Sequence, residues 1–209
     1  MKNYKKNLEL LIKNHVYSKE MEHDACGVGL IASTEGKKSR TVVEYGIEAL
    51  KAVWHRGAVD ADGKTGDGAG IHVEIPKDFF IEKIQVTGHD YDNSEICVGM
   101  IFLPRNDYSE QENCKTIVES ELTKNNFSIY GWRQVPVNPK ILGEKALQTM
   151  PEIIQVLFKP NDPNLLDKNL ERKIYETRKR IENKAFEASL NNFYICSISS
   201  KSIIYKGLY

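Results

Sequence analysis

Cys26 is the residue in this chain best placed to do chemistry. It stands in Met21-Glu22-His23-Asp24-Ala25-Cys26-Gly27-Val28-Gly29-Leu30-Ile31, between a polar leader and an apolar, glycine-punctuated run. If the chain is cut between Ala25 and Cys26, one residue carries both a thiol and a free α-amine. Such an amine has a pKa of roughly 7.7 to 8.0. Near neutral pH it can take the thiol proton directly or through one water, and no histidine partner is required. Gly27 leaves room for a substrate against the backbone. A lone cysteine is also ordinary core filler. What favours the chemical reading is the place of Cys26 at the boundary between leader and domain.

The other residues with chemical potential are weaker on their own. Arg56 follows a helical pattern and precedes Gly57. Its guanidinium can make a two-pronged contact with a carboxylate, or pair with Asp60 or Asp62 as a surface clamp. Gly66-Asp67-Gly68-Ala69-Gly70 superficially resembles a phosphate cradle. A dinucleotide fingerprint, however, needs a third glycine where Ile71 stands and a helix where a strand is expected. It reads as a turn that lets the backbone pass close to the cysteine. His23, His55 and His72 lack metal-ligand spacing, and Asp60, Asp62 and Asp67 lack the pattern of a calcium loop and read as solvated turn formers. Cys97 and Cys196 fall in apolar strands and Cys114 on a helix, where each is simplest as a packing residue. With no Cys-x-x-Cys pair, the four cysteines suit the reducing cytoplasm, not a zinc ribbon or a disulfide framework.

These residues must be held by a core, and 209 residues with 41% hydrophobic content supply one as a single domain. Lysine plus arginine equals aspartate plus glutamate at 29 each, so the charge balance points to neither nucleic acid nor an anionic membrane. Residues 1–25 read as a removable leader and 26–209 as the domain. In the leader, Leu8, Leu11, Ile12 and Val16 share one helical face, and Glu9 interrupts an apolar stretch already too short for a secretory signal. No run is long enough to span a membrane.

Along the domain, the run after Cys26 predicts a buried strand, followed by a turn at Glu35-Gly36-Lys37. Val43, Ile47, Leu50 and Trp54 predict a helix over 40–54 capped by Ser39. A loop over 58–68 leads to a strand that Pro76 terminates. A short helix over 76–84, a strand over 96–103, a helix over 109–124 and strands over 127–137 and 152–159 follow. Pro136, Pro139 and Pro151 confine the stretch between them to turns and a short helix. Leu166, Leu170, Ile174, Thr177, Ile181 and Ala185 mark one face of a long charged helix. Segments 193–199 and 202–208 read as a hairpin. This order predicts an α+β fold of antiparallel sheets with helices packed outside.

Four motifs, in order, carry a resemblance: Asp-Ala-Cys-Gly-Val-Gly-Leu, His-Arg-Gly-Ala-Val-Asp-Ala-Asp, Lys-Thr-Gly-Asp-Gly-Ala-Gly-Ile and Tyr-Gly-Trp-Arg-Gln-Val-Pro-Val-Asn-Pro. Leu-Gly-Glu-Lys-Ala at 142–146 and Phe-Tyr-Ile-Cys-Ser at 193–197 continue it. The chain resembles the N-terminal glutaminase domain of the glutamate synthase large subunit, a class II glutamine amidotransferase, over essentially its whole length. The resemblance implies an N-terminal-nucleophile hydrolase, an αββα sandwich of antiparallel sheets with outer helices. It implies that the leader is removed autocatalytically and that Cys26 attacks the side-chain amide of L-glutamine. The new α-amine then serves as base and acid, and Arg56 and Gly57 bind the substrate. In the full enzyme, ammonia would pass to a barrel carrying FMN, where it meets 2-oxoglutarate. An iron–sulfur cluster would supply electrons from a nicotinamide cofactor, through a small subunit, or from ferredoxin. No cofactor is expected in this segment.

The family's Asn-Gly oxyanion hole and its carboxylate-gripping arginine segment are expected after Tyr209, and no Asn-Gly dipeptide occurs in the 209 residues. The sequence therefore reads as a truncated large subunit, an incomplete sandwich inactive by itself. The alternative is a non-catalytic interaction module that pairs with a separately encoded remainder. That alternative predicts an exposed apolar sheet edge over 198–208.

Overall fold

The computed structural model describes residues 6, 9–10, 12–13, 27–53, 61–66 and 68–207. Of the leader, Lys6, Glu9, Leu10, Ile12 and Lys13 are helical, with Leu10 and Ile12 exposed; Leu8, Leu11 and Val16 lie outside the described residues.

Two of the helices begin behind a side chain that caps them. Helix α1 (Arg40–Ala52) starts behind Ser39, whose hydroxyl accepts the Thr41 N–H at 3.2 Å. It leads through an undescribed stretch and a turn over 61–66 to strand β1 (Ala69–Glu74). Pro76 ends that strand and caps helix α2 (Lys77–Val86). Strand β2 (Cys97–Leu103) is followed by helix α3 (Tyr108–Lys124), where the Asp107 carboxylate accepts the Glu110 N–H at 2.8 Å. Strand β3 (Phe127–Gln134), a single 3-10 turn (Pro139–Ile141) and the short helix α4 (Glu144–Thr149) then lead to strand β4 (Glu152–Pro160). Helix α5 (Asp167–Glu187), strand β5 (Tyr194–Ser199) and strand β6 (Ser202–Gly207) complete the described chain.

Among the described residues the strands form two antiparallel sheets, one ordered β3-β4-β2-β5 and one made of β1 and β6. Alternation along β2 and β4 gives the larger sheet two apolar faces. Cys97, Ile101 and Leu103 with Ile154, Val156 and Phe158 join Cys114, Val118 and Leu122 of α3 and Leu170, Ile174 and Ile181 of α5 on one face. Val98, Met100 and Leu157 join Phe80 and Ile84 of α2 and Ile203 of β6 on the other. Each fully buried side chain of this size stabilises by roughly 1.5 to 3 kcal/mol. Two helices thus cover one face of the larger sheet and the smaller sheet packs on the other, with α1 against β1. The expected α+β sandwich of antiparallel sheets with outer helices is present.

The α3–α5 contact carries a buried charge. Glu121, 4% exposed, lies with Oε1 2.5 Å from Lys184 Nζ and 3.6 Å from Lys124 Nζ. No hydrogen bond of good angle reaches that oxygen, so the attraction is between charges rather than a directed bond. The Lys184 contact holds the Glu121 carboxyl below its ordinary range.

Three expectations are corrected. Residues 27–31 are not a buried strand: they are irregular, with Val28 91% and Leu30 89% exposed. An apolar run is held as a strand only by ladder partners, and neither sheet pairs with this one. Segments 193–199 and 202–208 do not pair as a hairpin either. β5 pairs with β2 and β6 with β1, so the chain changes sheets at Ser200-Lys201. Side chains hold the crossing: Ser197 Oγ accepts the Ile204 N–H at 3.1 Å, and Glu171 of α5 accepts from the Ser200 N–H and hydroxyl, both at 2.7 Å. A register shift makes Cys196 an extra residue, so Ile195 and Ile198 both face the helix-covered core while Cys196 turns to the other. Finally, the 198–208 stretch is not an exposed apolar edge, because Ile198 and Ile203 are buried; Leu208 lies outside the described residues.

Gly99 shows how tightly β2 and β4 approach. A Cβ there would lie 2.7 Å from Val156 Cγ1, a branched side chain with little freedom to turn away. Gly99→Ala is expected to lower unfolding free energy by about 1 to 3 kcal/mol. Denaturant titration checks this, and Val156→Ala in the same chain should recover part of the loss.

Candidate active site

Cys26, Arg56 and Gly57 lie outside the described residues, as do His23, His55, Asp60 and Asp67. The structure positions the segments on either side of them. Ahead of Arg56, α1 ends at Val53, whose N–H donates to the Lys51 carbonyl. Behind it, residues 61–66 form a turn around Asp62. Oδ1 of Asp62 accepts the N–H groups of Lys64 at 2.9 Å and Thr65 at 2.7 Å, and Oδ2 accepts the Thr65 hydroxyl at 2.5 Å. These bonds, the Thr65 hydroxyl foremost, hold the exposed Asp62 carboxyl down at about 2. Asp62 is therefore committed to its own turn, as expected of a turn former.

The turn rests on Gly143. A Cβ at that position would overlap Asp62 Oδ2 and Thr65 Oγ1 and lie 2.8 Å from the Thr65 nitrogen. Two motifs far apart in sequence, Lys64-Thr65-Gly66 and Leu142-Gly143-Glu144-Lys145-Ala146, are thus brought together. Sequence reasoning assigned Thr65 and Gly143 no role. A glycine just ahead of a short helix was the available signal.

Gly68 and Gly70 allow a close approach between strands, while the expected passage beside Cys26 falls outside the described residues. A Cβ on Gly70 would lie 2.9 Å from both the Lys206 Cβ and the Tyr205 carbonyl oxygen, and one on Gly68 would lie 3.1 Å from the Gly207 carbonyl oxygen. They let β6 run close against β1. His72, on β1, is exposed.

The described cysteines are free and buried, Cys97 and Cys114 in the helix-covered core and Cys196 in the core between the sheets. Burial disfavours the thiolate at each: Cys97 is pushed well above its usual range, Cys114 to about 11, and Cys196 upward. A nucleophile needs the opposite environment. Native-state alkylation with iodoacetamide at pH 7.5, read by peptide mass spectrometry, is therefore expected to modify Cys26 at least about 100-fold faster than Cys97.

An open cleft of about 570 Å³ lies beside β1, the start of α5 and the β5–β6 crossing. It carries three lysines, each paired: Lys38 with Glu74 at 2.6 Å, Lys77 with Glu95 at 3.0 Å and Lys201 with Asp167 at 3.3 Å. Its charges are balanced, and of the residues weighed for chemistry in the sequence His72 is the one described residue that lines it. Among the described residues no group of three or more histidine, cysteine, aspartate or glutamate side chains is arranged to hold a metal ion.

Residues 26–209 match the family of glutamine amidotransferases class-II, and the match begins at Cys26. The chain belongs to that family. This amidotransferase domain is 52% identical over 206 residues to the glutamate synthase [NADPH] large chain of Azospirillum brasilense, covering 99% of this chain and 14% of the relative. It is 40% identical over 189 residues to ferredoxin-dependent glutamate synthase 1 of Arabidopsis thaliana, covering 90% of this chain and 12% of the relative. A ferredoxin-dependent glutamate synthase of Synechocystis is 37% identical over 188 residues, again over 90% of this chain and 12% of the relative. The amidotransferase domain thus spans about one-seventh of the length of the curated relatives it matches. Its antiparallel sheets and outer helices are those of an N-terminal-nucleophile hydrolase. Among the described residues no helix is long and apolar enough to cross a membrane.

Proposed function

We propose that this chain supplies the nucleophile-bearing part of the glutamine-hydrolysing site of a glutamate synthase, with Cys26 as nucleophile. The observation that carries the reading is that the family match starts at Cys26 while the three described cysteines are buried with disfavoured thiolates. Once residues 1–25 are removed, the α-amine of Cys26 takes the thiol proton. The sulfur bonds to the amide carbon of glutamine, the carbon–nitrogen bond breaks, and the amine returns the proton to the leaving nitrogen as ammonia. Water then hydrolyses the glutamyl thioester, giving glutamate and restoring the thiol. Arg56 and Gly57 hold the substrate at the nucleophile's end of the pocket.

In the whole protein the ammonia would join 2-oxoglutarate at a flavin site, with an iron–sulfur cluster carrying electrons from a nicotinamide cofactor or ferredoxin. The partners of this segment are then L-glutamine and the rest of a glutamate synthase large subunit, in the cytoplasm. Removal of one oxyanion donor costs about 100 to 1,000-fold in rate. The 209-residue chain has no Asn-Gly pair to supply such a donor, so by itself it is expected to release ammonia at least about 100-fold more slowly than a glutamate synthase large subunit. Ammonia release from glutamine by the full gene product, with intact-mass measurement of the amino terminus, tests the reading. An absence of ammonia release, or a retained leader in an active protein, overturns it.

The interaction-module reading draws on exposed Val28 and Leu30. It predicts that co-expression with the downstream portion of a relative gives binding without ammonia release.

A further inference from the structure

Of the seven phenylalanines, six are buried or half-buried and Phe186 is 83% exposed. It stands at the end of α5, on a groove of about 270 Å³ whose lining includes Leu190, Phe193 and Tyr194. The walls are set before anything docks. The Leu190 N–H donates to the Ala185 carbonyl at 2.9 Å and the Phe193 N–H to the Leu190 carbonyl at 3.3 Å. Glu182, the charged residue in the lining, is held by Arg178 and Lys179, each at 2.7 Å, so the groove offers no free charge to an ionic ligand. Its volume falls below the roughly 300 to 1,000 Å³ of small-molecule sites, and exposed aromatic side chains gathered in one place are the composition of a protein–protein contact. The occupant that fits is an apolar stretch of polypeptide.

Strand β6 ends beside this groove. Lys206 donates to the Tyr194 hydroxyl at 2.8 Å, and its Nζ lies 4.3 Å from the centre of the Tyr194 ring. With Cys26 as the amino terminus of the mature protein, nothing of a large subunit precedes the domain, and all that lies beyond it follows β6. That remainder is most of the protein, because this chain covers 14% of the Azospirillum relative. A segment joined to β6 meets the groove within one molecule, at an effective concentration that a separate partner does not reach. We propose that the Phe186 groove seats an apolar segment of the large subunit that follows residue 209. The proposal rests on the reading of Cys26 as the amino-terminal nucleophile. It assigns to the end of α5 and the start of β5 the surface by which the amidotransferase domain is held to the rest of that chain.

The test places the photo-cross-linker p-benzoylphenylalanine at position 186 of the full gene product, where it keeps an apolar aromatic side chain in the groove. The control places it at position 175, where Tyr175 is 59% exposed on the same helix and outside the groove. After illumination, cross-linked peptides are mapped by mass spectrometry on a mixture of isotope-labelled and unlabelled chains, which separates links within one chain from links between copies. Position 186 is expected to join peptides beyond residue 209 of its own chain, with a yield at least about tenfold above that from position 175. Equal yields from the two positions overturn the proposal. So do links from position 186 to a second copy, links to residues 1–209 alone, or a gene product that ends at Tyr209. Ammonia release by the unsubstituted protein judges the glutaminase reading separately: its absence overturns that reading, while the cross-link map alone decides what occupies the groove.

Discussion

Cys26→Ala in the full gene product is expected to reduce ammonia release from glutamine by about 1,000-fold or more, the scale on which removal of a covalent nucleophile acts. No described thiol can take over. Cys97, Cys114 and Cys196 are buried, and burial raises all three against forming a thiolate. A general base cannot compensate either, because the base in this scheme is the α-amine of the same residue. Cys26→Ser separates the two groups. It keeps the amine and replaces the thiol with a far less acidic hydroxyl, so it should remain strongly impaired even when the leader is removed. A coupled ammonia assay measures both variants. Activity in Cys26→Ala within tenfold of the unsubstituted protein would end the assignment of Cys26 as nucleophile.

Phe158→Ala should be the most destabilising single truncation in the larger sheet, costing about 3 to 5 kcal/mol. Phe158 is fully buried on β4, paired with Cys97 of β2 on one side and Ile129 of β3 on the other. Its ring meets Phe127 edge-to-face, with centroids 5.3 Å apart at 87°. Truncation removes that contact and opens a cavity on the face that α3 and α5 cover. For a domain of this size each kcal/mol lowers Tm by roughly 2 to 4 °C, so a fall of about 6 to 20 °C is expected in a thermal melt. Phe186→Ala is the contrast: its ring is 83% exposed at the end of α5, and the change should stay within about 0.5 kcal/mol. Equal effects from the two variants would show that the buried face of β4 is not the centre of this core.

Local patterns made much of this fold legible. Ser39 marked the start of α1, Pro76 the end of β1, and the six-residue series from Leu166 to Ala185 the buried stripe of α5, five of whose members are buried. Helix periodicity and capping are interactions among near neighbours in sequence, so residue order alone reveals them. The run after Cys26 misled because apolar and glycine-rich composition describes what a strand can bury and supplies no partner. The pairing of β5 and β6 misled for a related reason. Closeness in sequence and a Ser-Ser-Lys turn suit a hairpin, yet long-range ladders to β2 and β1 took the two segments into different sheets.

The candidate site divides along the same line. By itself the sequence determined the class of chemistry, because the family's motifs are contiguous stretches that residue order displays directly, and the base proposed for Cys26 is its own α-amine, adjacent by covalent structure. Tertiary structure alone decided which thiols are too buried to compete, since an environment is made by segments distant in sequence. It alone seated the Asp62–Thr65 turn on Gly143, because steric exclusion at a glycine becomes visible only when the atoms that would collide have been brought together.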